Sequence, residues 1–403
     1  MEAGRMKELD GLRGIGCVFV LFVHIWPVYT FWGWCWLEMF FVLSGFLITG
    51  MLLRTDLRSP ISLRNFLIRR ALRIWPVYYV ALLMAVAFWL WRVQTDPANY
   101  ADMTWWKTFL YLQFTEGYYT HDPQFYLKYA HWFRHSWSLA AEEQFYVLWP
   151  LAMLLLRGRR ELMLAFCLAL LATSIAMRAA GFEVILLLTR ADGFALGGAL
   201  AILQEMTSER GGIFESRLNF VYWGFMLAGI SVLVPYMWGG YTGGQINQYH
   251  DIATYGNWTI LVTAFSGFFF GLIGLMRNGH LLPVKRFLSW RPFTQLGEWS
   301  YAIYMFQGII ALTIGLAAHK SGLFPRFVPE VVVDLVSVLS CIAIGPISRY
   351  LIEGRFEHLK ARFPVVRQDR LSAVPDPDAG SLRVAPSSSP EVFPAPAPAP
   401  HRN

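Results

Sequence analysis

The chain has 403 residues, 56% hydrophobic and only 15% charged, with 17 Trp, 31 Phe and 18 Tyr and a mean hydropathy of +0.41. That balance excludes an ordinary soluble domain and predicts a polytopic membrane protein, because apolar side chains in this proportion need a bilayer as solvent. The net charge of +7 would suit nucleic acid, but the basic residues gather in short connections between apolar runs, where membrane topology explains them.

The first apolar run, 12 to 29, has a basic start and resembles a signal peptide. IWPVYTFWGW after it offers no small-residue cleavage site, so the run reads as a retained first helix. Further runs of about 20 residues, enough to span a bilayer, fall at 34 to 53, 74 to 93, 138 to 156, 161 to 180, 184 to 203, 219 to 237, 258 to 276, 295 to 317 and 331 to 351. The pattern predicts an all-α polytopic membrane protein of about ten transmembrane helices. Loops after the second, fourth and eighth runs hold Arg54, Arg58, Arg64, Arg69, Arg70 and Arg73, then Arg157, Arg159 and Arg160, then Arg277, Lys285, Arg286 and Arg291. Opposite connections are nearly free of Lys and Arg, so the positive-inside rule puts both termini in the cytoplasm. Residues 94 to 135 and the stretch MWGGYTGGQINQYHDIATYGNW are expected to face outward, the former along the aromatic-rich interface. From about Pro364 the apolar pattern stops. A transmembrane domain over 1–363 and a disordered Pro/Ser-rich cytoplasmic tail over 364–403 are expected, with no second folded domain. Cys17, Cys35, Cys167 and Cys341 show no paired or metal-ligand spacing and read as small core hydrophobes, so no metal is expected.

Ionisable residues inside apolar runs are costly and therefore informative. Arg13 and His24 are eleven residues apart, about three turns plus 20°, so they share one helix face with about 16 Å between them. A cation near one surface and an imidazole deeper in would suit a site reached from both sides; headgroup snorkelling by Arg13 and packing by His24 is the plainer alternative. Glu38 opens the second run at a comparable depth, either orienting that imidazole or acting as a helix-start acid. Ser44 and Gly45 read as close helix packing. The loop RNFLIRRALRIWP supplies Arg69, Arg70 and Arg73, suited to forked bonds with phosphate or simply a topology signal. In HSWSLAAEEQFYVLWP, Ser138 could cap a helix that starts with Glu142 and Glu143, and Tyr146 shares a face with Glu142. Arg190 and Asp192 in TRADGFALGGAL read as a mutually neutralising pair, and Glu353 closes the last run.

Taken in order, LDGLRGIGCVFVLFVH, FFVLSGFLITG, RRALRIWP, SWSLAAEEQFYVLWP, RADGFALGGAL and GEWSYAIYMFQ resemble the acyltransferase 3 family of integral-membrane acyltransferases, over about Leu9 to Glu353. The resemblance implies that His24 is the catalytic histidine, with Arg13 its partner near the acyl donor. It implies that Arg69, Arg70 and Arg73 hold the phosphates of acetyl-CoA or another acyl-CoA, and that Ser138 and Glu142 structure the site. Two departures stand out: Glu38 replaces the usual Asp, and Gln307, in Tyr304-Met305-Phe306-Gln307, replaces the usual histidine and cannot titrate. The extra hydrolase-like domain of some relatives is expected to be absent.

The expectation is a bacterial inner-membrane O-acetyltransferase acting on a hydroxyl of a glycan or glycoside, lipid-linked acceptors included, with His24 as general base. Its rivals are a transmembrane carrier, for which no internal repeat is found, and a non-catalytic component of a glycan-secretion complex.

Overall fold

The computed structural model describes residues 6–25, 33, 35–97, 133–156, 159–182, 186–242, 258–320 and 329–365. Most of the 94 to 135 connection, residues 243–257 and the tail from 366 lie outside the described residues. Among those described, all regular structure is helical: α1 Lys7–Ile25, α2 Cys35–Leu52, α3 Pro60–Thr95, α4 Trp137–Leu155, α5 Arg160–Ala179, α6 Ala191–Arg210, α7 Gly212–Thr242, α8 Trp258–Arg277, the short α9 Leu282–Leu288, α10 Arg291–Lys320 and α11 Glu330–Ser348. Each apolar run coincides with one of the long helices. Seven of these, α2, α3, α5, α7, α8, α10 and α11, are long and apolar enough to cross a membrane. The three that are not, α1, α4 and α6, carry Arg13, Glu142 and Asp192. Each has a long list of buried positions, so their polar groups face protein, where such groups can be satisfied.

Several boundaries differ from the sequence expectation. α3 starts at Pro60, before the apolar run, so Arg64, Arg69, Arg70 and Arg73 sit on a helix and not on a loop. The cause is local: Ser59 accepts from the Ser62 N–H at 3.4 Å, and Pro60 occupies the first turn, where its missing N–H costs nothing. α6 starts only at Ala191; just before it the Thr189 carbonyl accepts from the Arg178 guanidinium.

Close helix approach is built on glycine. A Cβ on Gly14 would lie 2.1 Å from the Phe293 carbonyl oxygen and one on Gly297 1.9 Å from that of Asp10, so α1 and α10 touch backbone to backbone. Gly45 and Gly197 do the same for α2 and α6, with clashes of 2.2 and 2.0 Å against Phe194 and Val42 carbonyls. The α1–α10 pairing is parallel: Gly14 meets Gly297 and Cys17 Sγ reaches Ser300 O at 3.5 Å, while Leu21 and Ile303 belong to one buried cluster with Ile25 and Ile310 packed against it. All four cysteines are free and buried, as small core residues.

Candidate active site

His24 lies near the end of α1. Its Nδ1–H donates to the Val20 carbonyl at 2.7 Å, which leaves Nε2 as the basic nitrogen of the neutral ring. Beside it is a cavity of about 10 Å³, room for roughly one water, lined by His24, Leu37, His135, Trp137 and Tyr304 among others. The His135 ring stands edge-on to His24, 6.0 Å between centroids. His135 sits on a 3₁₀ turn, Arg134–Ser136, that enters α4. Two hydroxyls fix that turn: Tyr304 Oη donates to the His135 carbonyl at 2.6 Å and lies 2.6 Å from Ser138 Oγ. Ser138 is therefore not the helix cap expected of it; α4 begins at Trp137, and the Ser138 hydroxyl is used across the bundle. His135 is the site residue that the sequence reading passed over. The signal was present, a histidine three residues ahead of Ser138, but only the fold brings it to His24.

One turn along α4 the character changes from neutral to ionic. Glu142 is not a first-turn acid. It accepts from Ser44 Oγ at 2.8 Å and from Tyr146 Oη at 2.9 Å, and it is in electrostatic contact with Arg13 and Arg73. Ser44 thus contributes a hydrogen bond as well as packing. Arg13 in turn feels Arg73, Glu142, Asp10 and Tyr146, and Arg70 feels Tyr146, Arg73, Arg69 and Arg13 while lying over the Phe66 and Tyr146 rings at 5.7 and 5.9 Å. Arg69 turns elsewhere, donating to the Lys360 and Phe363 carbonyls at 2.9 and 3.4 Å. Arg70 and Tyr146 also line a groove of about 780 Å³ between α3, α4 and the turns after α11, walled by Ile68, Trp75, Tyr79 and Ile352. Glu143 faces that groove and accepts from Trp75 Nε1 at 3.2 Å. The volume falls within the usual range for small-molecule pockets.

Glu38 does not go to His24. One oxygen pairs with Arg190 and the other accepts from Ser266 Oγ at 3.1 Å; it is Leu37, one residue earlier, that lines the His24 cavity. Nor do Arg190 and Asp192 neutralise each other. Asp192 pairs with Arg178 at 2.8 Å and accepts from Thr263 Oγ1 at 2.8 Å, while the Arg190 guanidinium lies 5.4 Å over the ring of Trp137. A one-residue gap at the start of α6 points the two side chains to different partners, which spacing alone could not reveal. Gln307 is 1% exposed, and its Nε2 has no hydrogen-bond partner among the described residues. Glu353 sits in a π turn, Arg349–Glu353, and accepts from Ser348 Oγ at 3.4 Å. Among the described residues, no group of three His, Cys, Asp or Glu is placed to hold a metal.

A family model described as an acyltransferase domain, Acyl_transf_3, matches residues 6–347. YrhL of Bacillus subtilis (strain 168), provisionally named a peptidoglycan O-acetyltransferase, is 26% identical over 360 residues, 81% of this chain and 52% of its own length. The peptidoglycan O-acetyltransferase OatA of Listeria monocytogenes serovar 1/2a (strain ATCC BAA-679 / EGD-e) is 29% identical over 155 residues, 36% of this chain and 24% of its own. The chain thus spans about half or less of these relatives. No solved structure matches it. With six motifs in order and a family match over nearly all the described helices, the chain belongs to the acyltransferase 3 family of membrane acyltransferases.

Proposed function

We propose that this protein moves an acetyl or other short acyl group from a cytoplasmic acyl-CoA to a hydroxyl of a glycan or glycoside acceptor at the outer side of the bacterial inner membrane, with His24 as general base. The observation that carries this reading is the division of labour along α1: Arg13 joins an arginine cluster, and three turns on His24 opens onto a small cavity. The asymmetry of Lys and Arg orients the cluster to the cytoplasm and puts both termini there.

The chemistry follows from the parts. Phosphates of the donor meet Arg70 and Arg73, with Arg69 acting through the turn it holds, and the pantetheine arm runs inward past Arg13 and Tyr146. His24 Nε2 takes the proton of the acceptor hydroxyl, and the oxygen attacks the thioester carbonyl. The tetrahedral intermediate collapses, the C–S bond breaks, and the CoA thiolate recovers the proton from the imidazolium. The developing oxyanion needs a preorganised donor. Gln307 is the candidate, a buried carboxamide on α10, the helix paired with α1, whose Nε2 has no hydrogen-bond partner among the described residues. Gln307→Leu is therefore expected to lower kcat on the order of 10²-fold with little change in KM for the donor, whereas Gln307→His retains a donor N–H and most of the rate. An unchanged kcat in the leucine variant would remove Gln307 from the reaction.

The names of the relatives make a peptidoglycan sugar the first acceptor to try. In proteoliposomes, free CoA should be released from acetyl-CoA only when a muropeptide or other glycan acceptor is supplied, with acetate ester appearing on the glycan. A carrier would release no CoA, and that outcome across a panel of glycans would sink the enzymatic reading.

A further inference from the structure

After α11 the chain folds back through the π turn Arg349–Glu353, a helical turn Gly354–Glu357 and a 3₁₀ turn His358–Arg362, a segment beyond the 6–347 covered by the family match. This return is pinned to the first turns of α3. Asn65, almost fully buried, donates Nδ2–H to the Pro364 carbonyl at 2.7 Å, and Arg69 donates to the carbonyls of Lys360 and Phe363. Bonds from a charged donor to carbonyls are among the stronger ones, so the backbone at 360 is held in a set position relative to the arginines. The half-buried Lys360 side chain lies in the field of Arg73, Glu357, Arg70 and Arg349.

Gathering like charges costs free energy unless an anion offsets it. Arg349 is matched by Glu357 at 2.6 Å. Arg13, Arg69, Arg70, Arg73 and Lys360 then face Asp10, Glu142 and Glu353, and positive groups still outnumber negative ones when Glu143, on the wall of the adjoining groove, is included. Arg73 is exposed, and Arg70 lines the groove whose wall includes Ile352 and Phe356 of the return. A phosphate would offset that excess, and an ammonium provides a compact point charge for it beside the forked arginines.

We propose that the C-terminal return is a wall of the donor pocket and that Lys360 is a phosphate-binding residue. This rests on the acyl-CoA reading above. Arg69 is its positioning residue, spent on holding the return instead of on the ligand.

The test compares two donors in the full-length protein in zwitterionic vesicles: acetyl-CoA, and acetyl-pantetheine, which has the same thioester and arm but no phosphate. Lys360→Ala should raise KM for acetyl-CoA about tenfold, the scale of one charge-assisted hydrogen bond, and reduce by the same factor the preference for acetyl-CoA over acetyl-pantetheine. Lys360→Arg should restore the preference. An equal loss for both donors, or none, would overturn the assignment. So would a loss seen only when anionic phospholipid is added, because the phosphate recognised would then be a headgroup. If the wild-type protein uses neither thioester, the donor reading itself has failed, an outcome distinct from a wild type that prefers acetyl-CoA and a Lys360 variant that keeps the preference.

Discussion

Replacing His24 with alanine should leave a membrane-inserted protein with unchanged CoA affinity whose acyl transfer falls by about three orders of magnitude, the middle of the range for losing a general base. The Nδ1–H is committed to the Val20 carbonyl one turn back, so the ring can present only Nε2 as a base, and its orientation does not depend on bound ligand. The donor cluster lies about three turns away along α1 and does not contact the ring, so binding and catalysis should separate cleanly. CoA binding measured by calorimetry and transfer measured by mass spectrometry of the glycan test both halves. Imidazole in the buffer, able to enter the space left by the side chain, should recover part of the rate. His135 supplies the sharpest alternative, because its ring lines the same cavity 6.0 Å from His24. If the His24 variant stays active and His135→Ala does not, the base is His135.

How far the sequence could reach depended on whether a feature is local. Seven of the apolar runs could be read as spans because a crossing helix needs a bilayer-long stretch of apolar side chains whatever its neighbours are. The Arg13–His24 face could be read because helical periodicity fixes it. The early start of α3 was also legible in principle: Ser59, Pro60 and Ser62 form a capping signal, but the arginines that follow it resemble a loop when hydropathy is the guide. Partners were a different matter. Nothing in the spacing of Glu38, Arg178, Arg190 and Asp192 says that the first pairs with the third and the second with the fourth, since those choices are made by packing between helices far apart in the chain. The same holds for Ser44 reaching Glu142 and for Tyr304 holding the turn that presents His135.

The second large effect is expected from breaking the Glu38–Arg190 pair. Both side chains are almost wholly buried, 1% and 3% exposed, and the neighbouring Arg178–Asp192 pair is 1% and 0% exposed. Removing one member of such a pair leaves an uncompensated charge and typically costs about 3–5 kcal/mol, so Glu38→Gln or Arg190→Met alone should sharply reduce folded protein. Combining them removes the orphaned charge, and at least half of the lost stability should return, because neutral replacements of a buried ion pair are often nearly neutral in energy. Fluorescence-detected size-exclusion chromatography after a heat step measures this directly. The double variant also separates two roles for Glu38. As an orienter of His24 it would be needed for chemistry itself, and the stable double variant would remain inactive. As the anchor of Arg190, whose guanidinium lies over the Trp137 ring that walls the His24 cavity, it acts through packing alone. The hydrogen bonds favour the second role, since both Glu38 oxygens are occupied by Arg190 and Ser266. Transfer should therefore recover along with stability. A stable but inactive double variant would return Glu38 to the reaction and require that it reach the imidazole in a conformation other than this one.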